Sequence, residues 1–72
     1  MTEPILRAAD ALEPGSELHD ALYNLVSAMH KNYRDKPLSE LSALAHSVPK
    51  LLDTNISDSR KTHIIWSITR MI

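Results

Sequence analysis

Residues 16–36, SELHDALYNLVSAMHKNYRDK, decide the fold class. Within them Leu18, Ala21, Leu22, Leu25, Val26 and Met29 recur at three- and four-residue steps, and Tyr33 carries the row one turn further. That period matches the pitch of an α-helix and lines one of its faces with apolar side chains. Ser16 stands where an N-cap belongs, Glu17 and Asp20 suit the positive end of the helix dipole, and His30, Lys31 and Arg34 suit the negative end. Pro37 stops the helix no later than Lys36.

Outward from this helix, the single glycine, Gly15, and the prolines Pro4, Pro14, Pro37 and Pro49 cut the chain into pieces of helical length. Upstream, Thr2 is the expected cap of a first helix with Pro4 in its opening turn. Ile5, Leu6, Ala8, Ala9 and Leu12 form its face, and Glu13-Pro14-Gly15 ends it. Downstream, Leu38, Leu41, Leu44, Ala45 and Val48 mark a short third helix that Ser47-Val48-Pro49 is expected to interrupt, with Lys50, Leu51 and Leu52 adding a turn or two. Ser57, Asp58 and Ser59 offer caps for a last element near Arg60. Its Ile64, Ile65, Ile68 and Ile72 follow the helical period, although its threonines and isoleucines also suit a strand. The expected fold is a single all-α domain over residues 1–72. About four short helices enclose Leu22, Leu25, Met29, Leu41, Leu44, Leu52, Ile65 and Ile68, and homodimerisation completes the bundle.

The expectation of a dimer follows from size. In a chain of 72 residues hydrophobic burial barely offsets the conformational entropy lost on folding, so disulfides, a metal, very regular helix packing or association must help, and the absence of cysteine excludes the first. A cysteine-free chain whose first ten residues carry acids and lack the apolar core of a secretory signal fits the cytoplasm. No unbroken apolar run exceeds three residues, as at Ile64-Ile65-Trp66, so no membrane span is expected. Net charge is −1, with four bases against six acids over residues 1–36 and four against three afterwards. Neither half carries a basic stripe for nucleic acid.

Reactive constellations are sparse. His19, His30, His46 and His63 lie 11, 16 and 17 positions apart. The first two share a helix face, but three turns separate them by roughly 16 Å, too far for one ion to bridge. One glycine cannot build a phosphate-binding loop or a nucleophile elbow. The acids Asp10, Glu13, Glu17 and Asp20 read as a solvated face. No catalytic, cofactor or metal residue is expected, and the chain is read as non-enzymatic.

Two local resemblances deserve their residues. Asp58-Ser59 resembles the attachment pair of acyl carrier proteins, with Arg60 where an apolar residue is usual; a helix cap accounts for both residues. Residues 38–56, LSELSALAHSVPKLLDTNI, resemble the helix-turn-helix of bacterial and phage repressors, with Leu41, Ala45 and Leu52 at core positions. His46 stands for the turn glycine, Ser47 for an aliphatic and Asn55 for the third core residue, and the recognition segment sets Lys50 against Asp53. This resemblance implies a DNA-binding regulator, the alternative to the main reading.

The main reading rests on the last segment. Ile64, Trp66, Ile68, Met71 and Ile72 cover more than one helix face, since Trp66 stands roughly 160° around the helix from Ile64 and from Ile68. These five are the expected interface of a protein-interaction protein, binding a second copy of itself and a larger protein partner. Because the histidines form no ligand set, treatment with a chelator should leave the melting temperature unchanged in a thermal scan. A clear drop would show that they assemble a metal site after all.

Overall fold

The computed structural model describes residues 2–32, 34–35 and 37–72; Tyr33 lies outside that set, and Arg34, expected in the last turn of the second helix, lies in a turn beyond its end at Asn32. Among the described residues there are four helices and no strand: α1 (Glu3–Asp10), α2 (Glu17–Asn32), α3 (Leu38–Leu52) and α4 (Asp58–Met71). None is long and apolar enough to cross a membrane.

The turns follow local chemistry. Between α1 and α2, the Ser16 amide donates to the Glu13 carbonyl at 3.1 Å, with Pro14 and Gly15 between them and Gly15 at φ +86°. This is the arrangement of a type II turn, which favours proline second and needs a left-handed residue third. Ser16 then caps α2, its Oγ accepting from the His19 amide at 3.3 Å. Of the three candidate caps before α4 it is Ser57 that serves, accepting from the Arg60 amide at 3.2 Å, so the helix starts two residues earlier than expected. Thr2 does not cap with its side chain. Its backbone is already helical, and its buried hydroxyl instead meets His30 Nε2 at 3.2 Å.

Pro49 does not break α3, which runs on to Leu52. A proline in the last turn deprives only the Ala45 carbonyl of its helical donor, and helical bonding resumes when the Asp53 amide donates to Pro49 and Lys50 carbonyls. The consequence bears on function: the bend required by a helix-turn-helix at His46 to Val48 is absent, since those residues lie inside one continuous helix. The threonines of α4 are accommodated in a similar way. Thr62, Ser67 and Thr69 hydroxyls donate to the Asp58, His63 and Ile65 carbonyls one turn back, so a β-prone composition is satisfied within a helix.

Packing starts from α2. Its Leu18, Ala21, Leu22, Leu25, Val26 and Met29 are all buried, as the periodicity predicts. They meet Ile5 and Ala9 of α1, Leu41 and Val48 of α3 and Ile65 of α4 in one cluster. Leu44, Leu52 and Ile68, expected at its centre, are only half-buried and pack against its edge, as do Leu6 and Leu12. Thr2 touching His30 and Tyr23 touching Asp10 fix α1 antiparallel to α2. In contrast, α4 runs parallel to α2: Ser59 and Thr62 lie beside Glu17 and Asp20 at one end, and Ile72 lies near Asn32 at the other. Helix α3 therefore carries the chain back between them, leaning mainly on α1, while α4 leans mainly on α2.

One buried charge joins α3 to α4. Lys61 sits one turn before Ile65 on the core side of α4, and its ammonium donates to the Leu52 carbonyl at the end of α3 at 2.8 Å. The bond is charge-assisted and satisfies a carbonyl that the helix end leaves open. Asp58, largely solvated and 3.9 Å away, adds little. Replacing Lys61 by Met keeps the stem and removes the bond; about 1–2 kcal/mol of stability should be lost, readable as a lower urea midpoint with unchanged slope.

Candidate functional site

The expected interface residues all lie on or beside α4, and the structure divides them. The arc of α4 through Lys61, Thr62 and Ile65 is buried. Trp66 flanks this arc on one side, while Ile64, Ile68 and Met71 lie toward the other. Ile64, Ile68 and Ile72 are half-buried, Trp66 is 38% exposed and Met71 78% exposed. No single surface takes all five.

On the second flank, Ile68, Met71 and Ile72 form one wall of a groove whose other wall is Glu40, Leu41, Ala43, Leu44 and Ser47 of α3. The groove has a volume of about 230 Å³, and Glu40 is the one charged residue in its lining. It exists because α3 leans on α1 and α4 on α2, which leaves these consecutive helices apart. On the first flank Trp66 borders a more open cleft with Glu17, Asp20, Ser59, Thr62 and His63. A third hollow, between α1 and α3, is edged by Pro4 and by Leu38, which is 70% exposed. Leu38 was not among the expected interface residues. It shares the apolar period of α3, but as the first residue of the helix its side chain leans back beyond the helix end, where the core no longer reaches.

The polar groups do not converge on one point. Among the described residues no three His, Asp or Glu side chains come together as a metal site would require. The acids of the first two helices are exposed, as expected, but two of them have defined partners. Asp10 accepts a 2.5 Å hydrogen bond from the Tyr23 hydroxyl, and Asp20 Oδ1 lies 3.1 Å from His19 Nδ1. The His19 and Tyr23 rings stand 4.7 Å apart at a tilt of 39°. This chain of contacts ties α1 to α2 on the surface. Nothing in the linear sequence marks it, because Asp10 and Tyr23 are thirteen positions apart and belong to different helices. Lys61 and Thr62 were also missed as buried residues, although Lys61 is spaced from Ile65, Ile68 and Ile72 as a member of the buried row.

No family model, no curated protein and no solved structure matches this chain.

Hydrogen bonding to Asp10 holds the Tyr23 phenol neutral and raises its pKa above the ordinary value of 10.0, with burial and the carboxylate charge acting in the same direction. A raised folded pKa means that the contact stabilises the fold fully below the unfolded phenol pKa and is lost as pH rises through the folded one. An NMR titration of Tyr23 should give a midpoint above that of free tyrosine, and Asp10→Asn should lower it; a midpoint unmoved by Asp10→Asn would contradict the contact.

Proposed function

We propose that this chain is a small, non-enzymatic protein-interaction protein, a cytoplasmic regulator, adaptor or inhibitor that covers a surface of a larger protein and also pairs with a second copy of itself. The observation that carries this reading is the exterior of α4, where Trp66 and Met71 stay in solvent on different flanks of a helix whose inner arc is already filled. Tryptophan and methionine supply large, adaptable contact area at interfaces.

The DNA-binding alternative has lost its geometric motif, because α3 is continuous where the turn belongs. Lys50 and Asp53 at the end of α3 also offset each other electrostatically.

Trp66→Ala is the direct test, since a half-exposed side chain can be removed without emptying the core. Affinity purification of the tagged chain from its source cells should recover one protein in stoichiometric amount. Trp66→Ala should weaken that complex by about 2 kcal/mol, roughly 30-fold, with little change in melting temperature. Salt-sensitive retention on duplex DNA, with no protein partner recovered, would instead favour the regulator that the sequence resemblance implies.

A further inference from the structure

We propose that the cleft between α2 and α4 receives an arginine side chain of the larger partner, its guanidinium lying against Trp66 and facing the carboxylates of Glu17 and Asp20. The inference rests on the reading of Trp66 as part of the partner surface and names the chemistry that this flank of α4 recognises.

The first argument is register. Glu17 and Asp20 stand three residues apart in the first turn of α2, and Ser59, Thr62, His63 and Trp66 keep helical spacing on α4, so each set forms one stripe along its helix. The two helices run parallel, and the stripes face each other as the walls of a cleft of about 470 Å³. Between Ser59 and Trp66 the α4 wall rises by roughly 10 Å, which gives an extended side chain room to lie along it. Side chains lean toward the start of their helix, so the indole is carried back toward the two carboxylates.

The second argument is charge. Both formal charges in the lining are negative, and no lysine or arginine lies among the described residues there. Like charges three residues apart on a helix repel, and here little offsets them. The Glu17 carboxylate has no ion pair or hydrogen bond among the described residues, and that of Asp20 meets only the neighbouring His19 imidazole. Acids in this turn also complement the dipole of α2, but that role is served on any face of the helix. It does not call for both acids on the face that meets Trp66.

The third argument is the aromatic ring. Tryptophan is the strongest cation–π acceptor among side chains, and the Trp66 indole N–H has no hydrogen-bond acceptor among the described residues. A guanidinium is flat and weakly hydrated, so it can stack on the indole while its edge donates to carboxylates; a lysine ammonium is compact, strongly hydrated and unable to do both as well. The cleft is open to solvent along one side, where an ion pair alone is weak. It therefore suits an arginine delivered by a protein whose other contacts add to this one, and not a free small cation.

Trp66 is the single tryptophan of the chain, so its emission reports on the cleft directly. Titrating the full chain with a terminally blocked alanine-arginine-alanine peptide, at constant ionic strength and up to millimolar concentration, should change that emission saturably. The lysine peptide should bind roughly threefold more weakly or worse, and the citrulline peptide, neutral but of the same shape, should give no saturable change. Glu17→Gln and Asp20→Asn should each weaken binding of the arginine peptide by roughly threefold or more, whereas Asp35→Asn, beyond the other end of α2, should not. All three positions are exposed, so unchanged circular dichroism will show that the fold survives. The two cleft substitutions should weaken the complex with the purified partner by a similar factor. No saturable change with the arginine peptide, or an equal response to citrulline, would overturn the proposal, and equal binding of lysine would overturn the guanidinium. A partner complex weakened by Trp66→Ala but by neither carboxylate substitution would overturn the arginine and leave the interaction reading intact. A complex indifferent to all three would overturn both.

Discussion

Burial of the apolar row of α2 is the constraint on which the other three helices depend. Leu22, Leu25 and Met29 are wholly enclosed, and each fully buried aliphatic side chain contributes about 1.5–3 kcal/mol relative to exposure. A chain of this length has little else to set against the entropy of ordering its backbone. Ile5 and Ala9 cover the row from one side and Ile65 from another, while Leu41 and Val48 close it. Helices α1 and α4 are held mainly by what they offer to α2, and α3 mainly by its packing on α1, each much more than by its own helix propensity. The clearest case is α1, which at eight residues is too short to be stable in isolation.

The arrangement around α2 also explains where the molecule is open. Because α1 is antiparallel to α2 and α4 parallel to it, α3 must return the length of the molecule, and it does so against α1. A helix is apolar over a limited arc, so α3 cannot fill the space beside α1 and beside α4 equally. The groove with Met71 at its rim is the result. Lys61 fastens α4 to the Leu52 carbonyl at the end of α3, so the two helices are joined where the chain turns.

Polar contacts refine this arrangement without creating it. The Asp10–Tyr23 and Thr2–His30 pairs set the direction of α1, and the hydroxyls of Thr62, Ser67 and Thr69 let α4 remain helical despite a composition that also suits strand. Partner-binding surfaces on so small a scaffold must come from the flanks of helices whose inner arcs are already occupied. On α4 those flanks carry Trp66 on one side and Met71 on the other.

The helical class, the start of α2 at its Ser16 cap and the turn at Gly15 are all legible in the sequence, because periodicity, capping and left-handed glycine act over a few neighbouring residues. The excess of apolar side chains on α4 is equally legible, since a helical projection alone separates Trp66 from Ile64 and Ile68. Whether each of those side chains faces core, groove or solvent was decided only by how α3 and α4 are placed on α1 and α2. Pro49 within α3 shows the same limit: a proline signals a break, but α3 continues through it to Leu52 at the loss of one helical hydrogen bond, and with that the resemblance to a helix-turn-helix loses its bend. The burial of Lys61 has no such signal in its residue type. The carbonyl that accepts its hydrogen bond belongs to another helix, and no local pattern brings Leu52 to it; only the chain folding back on itself does.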